Sequence, residues 1–346
     1  MIQIQIKLRF SNKQERQLSE WLHYLSGVWN YAVRRIGLDA KDKIFHSLID
    51  FQNLLANHSK RLGIPSHIIQ GTLRTAYMAW DNCFKKLLKK PRLKGRRNRL
   101  NSIPFPDPIR IYDNKVSVPG IGRIRFHKQF IPDGKIKCGR IVRRASGWYF
   151  CLFIDAMPVQ IERKEYGKIG IDSGFENLLT TSGGEVVGHP RELEKFATRL
   201  VQVQRGNRKK LMGRLQERIA NRRKDRNHKL SKRLVSENVF IAFSADNHKR
   251  IAKKFGKSVL SSGHYQLRKM LAYKSRTGGT QYVEVNSKFS TMTCSVCGVR
   301  SGPTGLSGLA VRQWRCRDCG SLHDRDVNAA RNTLHAALGT SVKKVA

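Results

Sequence analysis

The chain has 346 residues, 40% of them hydrophobic, which is enough for two or three domains with a buried core and excludes a disordered basic tail. Its 67 Lys and Arg against 25 Asp and Glu leave a formal charge of +42, an excess that repels itself in a compact state until a polyanion neutralises it. Nucleic acid is the polyanion this footprint points to. The sequence contains no apolar run of the length, about 18 residues, that a membrane-spanning helix needs. The opening MIQIQIKLRFSNK alternates like a strand and has no signal-peptide core, so a cytoplasmic protein with no membrane partner is expected.

Residues 1–10 read as a strand, and from Lys13 to Lys90 the pattern turns helical. In ERQLSEWLHYLSGVWNYAVRRI the apolar positions Leu18, Trp21, Leu22, Leu25, Trp29, Ala32 and Val33 recur at three- and four-residue steps. SHIIQGTLRTAYMAWDNCFKKLLKK follows, with Ser66 as the expected N-cap and Ile69, Leu73, Tyr77, Trp80 and Phe84 on one stripe. These aromatics are expected to pack helices rather than stack on bases. Next, KKPRLKGRRNRL crowds Lys89, Lys90, Arg92, Lys94, Arg96, Arg97 and Arg99 into a segment broken by Pro and Gly, and phosphate contact is expected there. Residues 103–160 read as short strands, KVSVPGIGRIRF, KIKCGRIVRRA and GWYFCLFIDA, whose spacing suggests a small antiparallel barrel. The first strand pairs with it most simply, which makes the helices an insertion.

A second unit starts near Tyr166. GKIGIDSGFENLLTTSGGEVVG reads as a strand ending at Asp172, a turn at Gly174 and a hairpin through Ser182-Gly183-Gly184. Residues 191–235 form a long basic helical stretch with a narrow seam of Leu211, Leu215 and Ile219. Its remaining surface is dominated by Arg222, Arg223, Lys224, Arg226, Lys229, Lys232 and Arg233, and Arg222, Arg223, Arg226 and Lys229 are expected to bind nucleic acid. ENVFIAF reads as a buried strand, Ser261 to Lys274 as a helix, QYVEVNS as a strand and DVNAARNTLHAAL as a terminal helix. Strands separated by helices point to an α/β layer fold.

Seven cysteines divide unevenly. Cys83, Cys138 and Cys151 are scattered and expected to be reduced thiols. Cys294, Cys297, Cys316 and Cys319 form C-x2-C-x18-C-x2-C, within the spacing of zinc ribbons. Two disulfides are the competing reading, which a reducing cytoplasm disfavours. Four thiolates leave no open coordination position, so the expected zinc is structural.

Acidic residues are scarce, yet Asp324-Arg325-Asp326 directly follows this knot. Asp172 ends an apolar strand beside glycines, and Asp326 starts the last helix. Carboxylates gathered from distant strands and a helix suit a two-metal phosphodiesterase site. Read singly, Asp326 also suits a helix start and Asp172 a turn cap.

GIDSG, NHKLSKRL, KFSTMTCSVCG and CGSLHDRDVNAARN together resemble the TnpB family of transposon-encoded RNA-guided nucleases, relatives of type V CRISPR effectors. The resemblance covers most of the chain, and KKPRLKGRRNRLNSIPF also fits it. It implies a multi-domain α/β protein: a wedge-like β-barrel from residues 1–10 and 101–165, an inserted helical recognition domain at 11–100, a RuvC- and RNase H-like domain from 166–290 and 323–346, and a zinc ribbon at 291–322. It also implies that Asp172 and Asp326 are the first and third catalytic carboxylates, holding magnesium. The implied partners are a guide RNA and double-stranded target DNA, cut beside a short flanking motif that the protein reads while base pairing reads the target. The sequence departs from the family at one place. The usual glutamate falls at Phe243 or Ser244. Asp246 is taken as its replacement, with Glu284 or no replacement as the alternatives. The competing function is a nuclease-inactive, RNA-guided DNA-binding repressor of transcription. A basic RNA-binding protein with a zinc ribbon accounts for the charge and the cysteines but not for the placed aspartates.

Overall fold

The computed structural model describes residues 2–55, 57–96, 98–157, 161–189, 191–245, 256, 261–304, 308 and 310–339. The protein is mixed α/β with several sheets, and the chain divides into two units, Met1–Pro158 and Val159–Ala346. Among the described residues no helix is long and apolar enough to cross a membrane.

In the first unit, strand β1 (Ile2–Arg9) leads into helix α1 (Asn12–Asp39), the short α2 (Leu48–Asn53) and α3 (His58–Leu62), and α4 (Ser66–Phe84). Six further strands follow: β2 (Ser102–Phe105), β3 (Ile111–Tyr112), β4 (Lys115–Val118), β5 (Gly122–Phe126), β6 (Lys135–Arg144) and β7 (Gly147–Asp155). They form one sheet in the order β2-β6-β7-β1-β5-β4-β3. Strand β1 joins its two halves, pairing antiparallel with β7 over Ile2 to Lys7 and with β5 at Leu8 and Arg9. The helices are thus inserted between the first strand and the rest of the sheet it belongs to.

Helix α1 begins with a capping box in which the Ser11 hydroxyl accepts from the Gln14 amide and the Gln14 side chain accepts from the Ser11 amide. Its buried stripe runs from Leu18 through Trp21, Leu25, Trp29 and Val33 to Ile36. Helix α4 packs Ile69, Leu73 and Trp80 inward, and the Trp80 indole donates to the Val33 carbonyl. Two sequence expectations change here. Pro65, not Ser66, stands at the N-cap of α4, because a fixed proline φ suits a residue entering a helix. Phe84, placed on the apolar stripe, is 47% exposed.

The second unit holds β8 (Gly167–Ser173), β9 (Asn177–Thr181), β10 (Val186–Gly188), helices α5 (Glu192–Lys195), α6 (Ala197–Arg205) and α7 (Lys209–Glu237), then β11 (Asn238–Ser244), α8 (His264–Gly278) and β12 (Gln281–Val285). A two-stranded ribbon, β13 (Gln313–Arg315) with β14 (Leu322–Asp324), precedes the last helix, α9 (Arg325–Leu338). The five-stranded sheet has the order β10-β9-β8-β11-β12. Its β8, β11 and β12 are parallel, β9 pairs antiparallel with β8, and β10 pairs antiparallel with β9. The long basic stretch expected over 191–235 is broken at Phe196 and at Gly206–Arg208 into three helices.

The two faces of this sheet are covered by different helices. Ile171, Ile241 and Phe243 share a core with Leu230, Leu234 and Val235 of α7 and Leu267 and Leu271 of α8. On the other face α9 lies against β8. At Gly170 an added Cβ would stand 2.1 Å from the Ala330 carbonyl and 2.8 Å from the Leu334 Cβ. Only glycine admits the helix so closely. Gly170→Val should therefore push α9 off the sheet and destabilise the protein by about 2 kcal/mol or more. Thermal unfolding of the purified variant measures this, and an unchanged melting temperature would mean that α9 does not pack there.

Candidate functional site

The ribbon is built from two matching knuckles. In CSVCG the Gly298 amide donates to the Cys294 carbonyl, and in CRDCG the Gly320 amide donates to the Cys316 carbonyl. Both glycines have positive φ, 80° and 72°, the left-handed conformation a side chain resists. Each turn thereby aims two sulfurs inward. The four Sγ atoms of Cys294, Cys297, Cys316 and Cys319 all lie within 4.8 Å of one another. Across the knuckles, Cys294 and Cys319 are 3.7 Å apart and Cys297 and Cys316 3.6 Å. A tetrahedral ion with metal–sulfur bonds of about 2.3 Å, as zinc makes, spaces its sulfurs about 3.8 Å apart. The donor set therefore fits such an ion. Burial raises the Cys316 thiol, but the Cys319 amide and the Ser301 hydroxyl outweigh it and bring the group down to about 6, whereas burial pushes the Cys294 thiol up.

The acidic junction ties this ribbon to α9 residue by residue. His323 places Nε2 3.1 Å from the Cys294 Sγ. The Asp324 carboxylate accepts from the Asp326 and Val327 amides as the N-cap of α9. Arg325 donates to the Gly308 carbonyl at 3.0 Å. The Asp326 carboxylate receives Arg312 at 3.5 Å, and the same guanidinium pairs with Glu176. One turn on, the buried Asn328 accepts from the Ser295 amide at 2.9 Å and donates to the Thr293 carbonyl at 2.8 Å. Asn332 donates to that carbonyl and to Ser290.

Sheet alternation places Asp172. It lies two residues beyond Gly170 on β8, so it faces the α9 side at the carboxyl end of the strand. Helix α9 starts at that same end. Its Asn328 reaches Ser290, just past β12, while Ala330 and Leu334 lie lower, at Gly170. Asp172 and Asp326 thus come to one face and one end of the sheet. Ser244, at the end of β11, is fully buried, and its hydroxyl accepts from the Ser173 amide at 2.9 Å. Phe243 is in register with Ile171 on one side and Glu284 on the other, so all three face α7 and α8. There Arg268 of α8 and the Tyr282 hydroxyl hold the Glu284 carboxylate. Arg268 above all, and Tyr282 with it, keep that carboxyl below the usual range against the opposing influence of burial. Glu284 therefore points away from Asp172. Asp246 lies outside the described residues.

The basic residues separate into outward and inward groups. Lys89, Lys90, Arg92, Arg96 and Arg99 are exposed, Lys94 is partly buried, and Arg97 lies outside the described residues. This segment is strapped to α1. The Trp29 indole donates to the Arg92 carbonyl at 3.0 Å, Asn30 exchanges two hydrogen bonds with the Lys94 backbone, and the Lys94 amine sits over the Trp29 ring. Together with α1 and Arg143 and Arg144 the strap lines a cleft of about 1310 Å³, into which His23, Tyr24 and Tyr31 also project. On α7, Arg222 is exposed over the Phe196 ring, Arg223 is half-buried against Gly263, and Lys229 is exposed and paired with Asp225. Arg226 departs from expectation. Its guanidinium turns inward to the buried Glu192 and the Ser262 carbonyl, with 18% of the side chain exposed. A buried carboxylate needs a partner, and Arg226 is the cation within reach.

Residues 264–333 match the family described as Cas12f1-like, TNB domain. A Streptomyces pristinaespiralis protein assigned as an RNA-guided DNA endonuclease is 31% identical over 299 residues, covering 80% of this chain and 73% of the relative. The chain belongs to the TnpB family. InsQ of Escherichia coli strain K12, likewise assigned as an RNA-guided DNA endonuclease, is 24% identical over 79% of this chain and 76% of its own length. A cryo-EM structure of a Cas12f1–sgRNA–target DNA complex aligns with a TM-score of 0.41 at 15% identity, covering 97% of this chain and all of that one.

In this TnpB-family chain the site residues that sequence reading singled out, Asp172, Asp326 and the four cysteines, share the second unit with several that it missed. Glu176 and Arg312 carry no spacing signal of their own, and His323 and Asn328 lie inside the CGSLHDRDVNAARN motif without having been singled out. Arg312, four residues before Cys316, and His323, four residues after Cys319, had a local hint in their closeness to the knot. The strap gives a direct test. Asn30→Ala removes two hydrogen bonds worth about 1 kcal/mol each, so trypsin should cut within residues 92–99 at least tenfold faster. Unchanged digestion would mean that the strap is held by something other than Asn30.

Proposed function

We propose that the chain is a transposon-associated, RNA-guided DNA endonuclease. What supports the reading is that Asp172 ends β8 and Asp326 begins the helix packed against it, on one face of a mixed sheet whose β8, β11 and β12 run parallel, in a member of this family. On it, residues 166–290 and 323–346 form a RuvC-like nuclease domain. Residues 1–10 and 101–165 form a wedge-like barrel carrying the helical domain at 11–100, and residues 291–322 form a zinc ribbon. The basic strap and the outward face of α7 then take guide RNA and target DNA backbone, where neutralising phosphates releases counterions.

The carboxylates offer hard oxygen donors of the type magnesium prefers. Asp172 and Asp326, with Asp246 as the third candidate, would hold the ion. Bound there, magnesium supplies the charge that stabilises the attacking and leaving oxygens of an in-line displacement. The chain's own part is positional. Gly170 lets α9 approach, the Asp324 cap fixes the helix start, and Arg312 orients the Asp326 carboxylate.

One observation favours a second reading, a nuclease-inactive repressor that occupies RNA-specified DNA. The family's glutamate falls at Phe243 or Ser244, Phe243 faces away from Asp172, and the Ser244 hydroxyl is engaged by Ser173. A single experiment separates the two. Guide-loaded protein should cut matching DNA in magnesium and not in chelator. Asp172→Ala and Asp326→Ala should each lower the rate by orders of magnitude while target binding stays near intact, because ligands of one site act as a unit. Asp246→Ala should do the same. Tight binding by the wild type with no cutting in magnesium or manganese would leave the repressor.

Purified protein should also carry about one zinc per chain, and Cys316→Ser should unfold the C-terminal region, because binding energy at such a site is folding energy. A zinc-free preparation that is fully folded would remove the ribbon reading.

A further inference from the structure

We propose that His323 is a positioning residue through which the ribbon metal holds the start of α9: its ring N–H donates to the metal-bound Cys294 thiolate, so that filling the four-cysteine site fixes the helix turn that carries Asp326. The inference rests on the zinc reading of the four cysteines and goes beyond it, because His323 is not one of the four sulfur donors.

The ring is 3% exposed, and its Nε2 lies 3.1 Å from the Cys294 Sγ. The four sulfurs gather about a common point without it. The ring is held in place on its other side, where strand pairing sets Trp314 opposite His323 and the two rings lie 4.7 Å apart at 35°. A metal-bound thiolate has no proton to give, so the nitrogen facing it must be the one that carries the hydrogen. Four thiolates around a divalent ion leave two formal negative charges among three buried cysteines and the exposed Cys319. An N–H aimed at one of them offsets part of that cost, and outer hydrogen bonds of this type are worth roughly 10- to 100-fold in metal affinity.

Backbone then carries the constraint only a short way. Asp324 follows directly and caps α9 through the Asp326 and Val327 amides. From the opposite side Asn328 grips the backbone on both flanks of Cys294, at Thr293 and Ser295. The first knuckle is thus held by its sulfur through His323 and by its backbone through α9. Emptying the site releases the first hold and leaves the second without a rigid partner.

The test uses the full chain with cobalt in place of zinc, comparing wild type with His323→Phe, which keeps a ring against Trp314 but has no donor, and His323→Gln, which restores an N–H. Three quantities are read: the sulfur-to-cobalt charge-transfer absorption, the rate of metal release to a chelator, and hydrogen exchange at the Asp326 and Val327 amides. In His323→Phe the absorption should shift, release should speed up about 10- to 100-fold and exchange at both amides should rise. His323→Gln should recover part of all three. Unchanged absorption and release in His323→Phe would overturn the proposal. So would faster release with no change in amide exchange, since the helix would then be held independently of the metal. A wild-type spectrum of three sulfurs and one nitrogen would overturn it as well, making His323 a ligand. If wild type takes up no cobalt, the zinc reading itself has failed, an outcome visible before any variant is compared.

Discussion

The close approach of α9 to β8 at Gly170 is the contact on which the second unit depends. A helix backbone can lie this near a strand only where the strand has no Cβ and the helix offers small residues, here Ala329 and Ala330. Once seated, the helix is tied to the first knuckle, because Asn328 and Asn332 both donate to the Thr293 carbonyl beside Cys294. The position of its first turn is thereby set against the end of β8. Asp172 and Asp326 are far apart in the chain, and packing that neither of them makes brings the end of β8 and the start of α9 to one face of the sheet.

The scarcity of acid in the chain makes the His323-Asp324-Arg325-Asp326 junction informative. Every one of the four side chains is engaged: a cysteine sulfur, two helix amides, a ribbon carbonyl and a ribbon arginine. Asp324 answers to the helix dipole, and Asp326 shares Arg312 with Glu176. The ribbon is therefore tied to the start of α9, since it supplies the arginine that pairs with Asp326 and bonds to the helix through Asn328.

The same surplus of cations hides a division of labour. Arg226 satisfies the buried Glu192, and Arg163 donates to carbonyls of Asn238 and Gly278 beneath the sheet. Arg222 lies over Phe196, whereas Arg96 and Arg99 border an open cleft beside aromatic rings. Guanidinium groups serve all these places because they present several donors in one plane. Charge counting cannot tell one use from another.

The features legible in the sequence were those whose chemistry is local. Two Cys-x-x-Cys-Gly turns aim their sulfurs by their own backbone hydrogen bonds, so their spacing sufficed to find the cluster. The stripe from Leu18 to Val33 marked a buried helix face because helical period is set within one element. Asp172 at a strand end and Asp326 at a helix start were visible as placements. Other features depended on pairing between segments far apart in the chain. A one-residue change of register would exchange the faces of Ser244 and Glu284, and only the parallel pairing of β8, β11 and β12 shows that Glu284 turns toward Arg268. Likewise Arg226 reads as surface until Glu192 is folded beneath it, and His323 reads as loop until β14 brings it to Cys294. Residue type and spacing set what each group can do, and the tertiary structure decided which partner each one meets.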